Sequence, residues 1–388
     1  MKVYHQLGFR DNWNIDSYNL GIGDGLIFSP INMDAKKLSG LPVLIKQHSF
    51  LDPQLYLLNK EKASNITYPF FPTNIKADFS TVDLDTMPEK LAESCTDFQV
   101  DNEFEYVVIP SRYYDEIPSR FYELSMRNFI VPFLDYKREK NIQKPFLLSI
   151  IVKQIFIVDT EKRNRLLNWI TGISGICGVY IIFENSFSSK QIKDFDYLLN
   201  VLTFIKILKM NDMEVHVGYC NTEGLLYSAA MPDSITIGSY ENLRSFKISR
   251  FVVSEGSKRS PNPRLYSTHL LQWMEYNYIQ SMKSLIPDYI DYFDDSVYKP
   301  LMFNLTGKEY KWHFAKSELY KHYFEVFVHQ IKKLPDEQMS RIDCLLKQIE
   351  NALNNYVIIK RDILLDGDSD DSHLPIWFNV LRAFRKGL

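Results

Sequence analysis

The residues best placed by type and spacing to do chemistry are Glu184, the pair His48 and Asp52, and the cluster Gly238, Ser239 and Arg244. Glu184 directly follows the apolar run GVYIIF. A carboxyl at the end of such a run loses solvent, which raises its pKa toward the range of a general acid or base. The plainer role is an ion pair with a neighbouring Lys or Arg. His48 and Asp52 offer a second acid–base pair, although Asp52-Pro53 also reads as an ordinary turn opening. In ITIGSYENLRSF, Ile235 to Phe246, a Gly-Ser turn follows an apolar run and leads into an expected helix containing Arg244. Backbone N–H groups at a positive helix end suit a phosphate or another anion.

Beyond it the chain turns basic. Arg244, Lys247, Arg250, Lys258, Arg259 and Arg264 face Glu255 alone, with Phe246, Phe251 and Tyr266 interleaved. Cations for phosphates and rings for bases are what single-stranded nucleic acid requires, so Arg250, Lys258, Arg259 and Arg264 are candidate contacts. A solvated loop is the competing reading. Other patterns fail on inspection. Asp366 to Asp370 begins like a calcium loop, but Asp371 stands where Gly is needed and Trp377 where the closing Glu belongs. There is no HExxH, GxSxG or GxxxxGK[ST], so neither a metal nor a cofactor is expected.

The elements that position these residues follow from an alternation along the chain. Short apolar runs occur at Leu26–Phe28, Val43–Ile45, Tyr106–Ile109, Phe146–Val152, Gly178–Phe183, Val215–Gly218 and Ser234–Gly238. They are apolar nearly throughout, as strands covered on both faces are. Helical spacing fills the later gaps, with Leu166, Leu167 and Ile170 after a Thr160 cap, and Phe195 to Leu208 after a Ser188–Gln191 capping box. Arg264–Tyr266 supplies a short eighth strand. This predicts an α/β fold of the (β/α)8 TIM-barrel type over residues 1–275. An open doubly wound sheet is the alternative, but GIGDG at Gly21 to Gly25 precedes its strand and cannot be a dinucleotide loop.

An irregular insertion is expected at about 51–102, where Pro53, Pro69, Pro72 and Pro88 break periodicity. Residues 276–388 read as a helical extension. Within it an antiparallel hairpin spans about 317–356 around Pro335, with Met339, Ile342, Leu346, Ile349, Leu353 and Tyr356 in heptad rhythm. The hairpin could serve a protein partner or a homodimer.

A net charge of −3 offers no global attraction for nucleic acid or anionic membrane. Four scattered cysteines suit a reducing compartment, and with no apolar stretch of membrane length the cytoplasm is the expected location. Three functions compete: a barrel enzyme acting on a phosphate-bearing or nucleotide-like substrate, by glycosyl transfer or hydrolysis; a non-catalytic subunit or interaction scaffold of a larger assembly; and nucleic-acid binding through Arg244–Arg264, with or without catalysis.

Overall fold

The computed structural model describes residues 1–58, 65–76, 79–80, 86–187, 190–252 and 261–388. Eight strands form one sheet: β1 (Lys2–Gln6), β2 (Gly25–Phe28), β3 (Phe50–Leu51), β4 (Val107–Ile109), β5 (Phe146–Lys153), β6 (Gly178–Glu184), β7 (Glu214–Gly218) and β8 (Ser234–Ile237). Their order is β3-β2-β1-β8-β7-β6-β5-β4, and every registered pair is parallel. Because β1 pairs with β8, the order is that of a barrel with its seam between β3 and β4. The Glu105 N–H donates to the Ser49 carbonyl across that seam at 2.9 Å. The protein is therefore a nearly closed (β/α)8 barrel with helices appended at the C-terminal end.

The alternation of burial explains the apolar strands. Val179, Ile181 and Phe183 face the helical layer, whereas Tyr180 and Ile182 face the axis. The floor of the axis is a packed set of rings: Phe50 lies against Tyr4, Tyr106, Tyr180 and His216 at centroid distances of 5.3 to 6.0 Å. The N-terminal end of the barrel is thus filled. Of the two ends of the barrel, the C-terminal mouth, where the loops gather, is the one left open to a ligand.

Several expected elements differ. Val43–Gln47 is a short helix, not a strand, since Val43 and Leu44 face solvent and the apolar residue it buries is Ile45. The strands that complete the barrel are β1 and β3. Arg264–Tyr266 is indeed extended, but as part of β9 (Arg264–Ser267), which pairs antiparallel with β10 (Gln272–Glu275) outside the barrel. The stretch from 51 to 102 is not irregular throughout, because Pro88–Asp101 is a regular helix leading into β4. Helix caps fall on aspartates instead of the expected hydroxyl residues. Asp159 accepts from the Lys162 N–H, and Asp194 from the Tyr197 N–H. Ser188 lies outside the described residues.

Beyond β10 the chain is helical. Ser317–Lys332 packs on β9 and on the helix Asp11–Asn19, and Gln338–Ile359 packs on the last helix, Leu374–Lys386. The buried stripe of Gln338–Ile359 is Ile342, Leu345, Ile349, Ala352, Tyr356 and Ile359, the same 3-4 rhythm at a slightly different register. No helix among the described residues is long and apolar enough to cross a membrane.

Candidate functional site

The loops after β6, β7 and β8 enclose a cleft of about 320 Å³. Asn185 and Lys190 reach it from the β6 loop, Asn221 and Glu223 from the β7 loop, and Glu241, Arg244 and Lys247 from the β8 loop. Trp273 of β10 forms its back wall, and Asp368 stands at its edge.

Arg244 is the central cation. It is 5% exposed, and its guanidinium carbon sits 3.9 Å from the centroid of the Trp273 ring and 5.6 Å from that of Tyr323. Its Nη1 donates to the Ser239 carbonyl at 3.1 Å, while Nε has no partner among the described residues. Glu241, the nearest acid in sequence, is drawn away by Lys190 at 2.6 Å. A buried guanidinium stacked on a ring is pre-oriented for a planar or tetrahedral oxyanion.

Glu223 is the central acid. It is 6% exposed; its Oε1 accepts weakly from the Asn221 N–H at 3.4 Å, and Oε2 has no partner among the described residues. Burial pushes its carboxyl up to about 7, against the smaller opposing pull of backbone N–H groups and Arg244. Asn221 Oδ1, Thr222 Oγ1, Ser239 Oγ and Trp273 Nε1 are likewise buried without partners among the described residues. Each such group costs roughly 1–3 kcal/mol when left unsatisfied, so their concentration on two adjoining loops and on the β10 ring beside them points to a ligand.

The raised carboxyl has a consequence for stability. The folded state holds a proton on Glu223 up to about pH 7, whereas the unfolded chain releases it near the ordinary carboxylate value of 4.5. Stability from this group is therefore complete below the unfolded value and lost as pH rises toward 7. Glu223→Gln, which cannot ionise, should stabilise the protein at pH 8 by roughly 3 kcal/mol relative to pH 4. Urea denaturation of both proteins at the two pH values measures this; an equal difference at both would contradict it.

The mouth over the axis holds a second set of groups. Asp52, fully buried just after β3, accepts from the Tyr56 hydroxyl at 2.7 Å and the Gln54 N–H at 3.1 Å. Burial raises its carboxyl to about 7. Phe246 and Phe251 of the β8 loop close over Tyr56 and Tyr219.

The sequence candidates thus distribute unevenly. Gly238, Ser239 and Arg244 stand together, although Glu241–Leu243 is a single 3-10 turn and not the expected helix, so no helix end serves an anion there. Gly238 lets this turn fold back, since a Cβ would lie 2.6 Å from that of Leu243. Glu184 ends β6 and is held by the Tyr113 hydroxyl at 2.9 Å and by Lys153 at 3.8 Å. His48 is separated from Asp52: it precedes β3 and is exposed at the opposite end of the barrel, because the run before it is helical.

Among the described residues of the basic stretch, Arg250 and Arg264 are held in separate places. Arg264 pairs with Glu275 at 2.7 Å and donates to the Asp368 carbonyl, which fixes the β9–β10 hairpin. Arg250 lies against the Tyr219 ring. Lys258 and Arg259 lie outside the described residues. Glu223 does not stand out in the sequence, where TEGLL reads as an acidic first turn of a helix. Its place in the loop just after β7 is the one available signal.

The chain matches no protein-family model and no curated protein.

Proposed function

We propose that the protein is a barrel enzyme acting on a phosphate-bearing, nucleotide-like substrate, held in the cleft over β6 to β8. The observation that carries this reading is the buried pair: Arg244, whose Nε has no partner and whose guanidinium has no hydrogen-bonded carboxylate among the described residues, and Glu223, whose Oε2 has no partner among them and whose carboxyl is raised to about 7. The guanidinium, with Lys190 and Lys247 at the rim, would grip the anion. A carboxyl that titrates near neutral pH can both give and take a proton. In hydrolysis of a glycosidic or ester bond, Glu223 would protonate the departing oxygen while water supplies the hydroxyl.

A purely architectural role is disfavoured because it leaves these buried groups as uncompensated destabilisation. The test is the ³¹P resonance of a nucleoside 5′-monophosphate titrated with the protein. Saturable broadening, reversed by excess inorganic phosphate, is expected, and an unperturbed line at millimolar protein would refute the reading.

A further inference from the structure

The buried atoms that line the cleft and lack partners among the described residues divide by kind. On the side of the β8 loop and β10, Arg244 Nε and Trp273 Nε1 can only donate. On the side of the β7 loop, Asn221 Oδ1 can only accept. The Asn221 amide cannot turn over to hide that oxygen. Its Nδ2 donates to the Lys190 carbonyl at 3.0 Å, and a carbonyl is satisfied only by the nitrogen end of an amide. Asn221 is 9% exposed, so bulk water does little for the oxygen left over. An anion in the cleft satisfies the donors and leaves this acceptor short. A fully complementary ligand brings a donor of its own, close to its anionic end.

Charge decides which donor. Lys190, Arg244 and Lys247 set three cations around the cleft, while Glu241 and Asp368 are drawn to Lys190 at 2.6 and 3.9 Å. An ammonium group would enter against those cations, whereas a hydroxyl carries no charge for them to repel. A hydroxyl also accepts. Two residues from Asn221, Glu223 has Oε2 without a partner among the described residues, and a neutral carboxyl donates from it. Asn185, Gln191 and Asn242 add three more primary amides to the lining, groups that meet hydroxyls in either sense. The volume of about 320 Å³ lies at the lower end of the range of small-molecule sites, which suits a ligand of a few carbons with one phosphate.

We propose that the cleft selects a phosphate monoester with a free hydroxyl beside the phosphate, a sugar or polyol phosphate, and that Asn221 Oδ1 accepts the hydrogen bond from that hydroxyl. Arg244 and Trp273 hold the phosphate, and Asn221 sets the specificity. This inference rests on the cleft reading and gives it a substrate class.

Calorimetric titrations with n-propyl phosphate and with glycerol 3-phosphate test the proposal. The two esters share a phosphate and a three-carbon chain and differ in their hydroxyls, so propyl phosphate reports on folding and on the anion site alone. The wild-type protein should bind glycerol 3-phosphate at least about tenfold more tightly than propyl phosphate, the worth of a hydrogen bond to a buried acceptor. In Asn221→Ala that advantage should fall to within about twofold, with propyl phosphate bound as in the wild type. Equal affinities in the wild-type protein would overturn the hydroxyl assignment while leaving the cleft intact. That comparison needs no variant, so it decides even if Asn221→Ala fails to fold. A folded variant that keeps the full advantage would remove Asn221 from the contact. If the wild-type protein binds neither ester, the cleft reading fails and takes this one with it.

Discussion

Arg244→Met should lower affinity for inorganic phosphate by about 10²- to 10³-fold while leaving thermal stability within a few degrees of the wild type. The loss follows from removing a buried, charge-assisted donor set, which costs about 3–4 kcal/mol in binding. Stability is retained for a separate reason. Among the described residues the guanidinium has an unpartnered Nε and no carboxylate partner, so its burial contributes little net stabilisation, and Met restores the stem's packing against Trp273. The stacking it gives up is worth about 2 kcal/mol. Arg244→Lys separates charge from shape: the ammonium keeps the charge but loses the planar fork and the ring stack, so an intermediate loss is expected. Calorimetry with phosphate, beside thermal melts of the same samples, measures both quantities. Unchanged affinity in Arg244→Met would remove Arg244 from the site.

Gly178→Val should prevent the barrel from forming. Gly178 opens β6 and pairs with both Leu147 of β5 and Glu214 of β7. A Cβ there would lie 2.1 Å from the Glu214 carbonyl oxygen and 2.6 Å from the Glu214 Cβ. The oxygen belongs to backbone in the middle of the sheet, so it cannot swing aside as a long side chain would. Relief requires separating β6 from β7, and every inward residue of both strands then loses its neighbours. A loss above about 4 kcal/mol is expected, seen as insoluble protein or collapse of the circular dichroism signal. A soluble variant with a wild-type melt would contradict the close pairing of β6 with β7 at this position.

How much of the fold was legible in the sequence depends on how local each signal is. β4 to β8 read correctly because both faces are buried, so the side chains declare the strand without outside help. β1 did not, since KVYHQ mixes polar types. Its His5 is satisfied through contacts made far along the chain, the Ile22 carbonyl and the ring of Phe324, and the Oε1 of Gln6 through Tyr180. β3 is two residues long, too short for any periodicity, and the apolar VLIKQ before it carries the stronger signal instead.

At the site, Arg244 and Ser239 were visible as an anion candidate, but for a reason that does not hold. The site owes its cation to a ring contributed by a hairpin some thirty residues on, not to a helix end. Glu223 was hidden because nothing local distinguishes an exposed first-turn glutamate from a buried one. Its burial is created by loops from other strands.

At the heart of the proposed chemistry, the cleft binds an anion through Arg244 beside a titrating Glu223. Sulfate, whose charge does not change across neutral pH, isolates that pair. Calorimetric affinity for sulfate between pH 6 and pH 8 should fall roughly tenfold as Glu223 ionises and repels the ligand, and the profile should be flat in Glu223→Gln. No sulfate binding at pH 6, or the same pH profile in both proteins, would contradict the pairing.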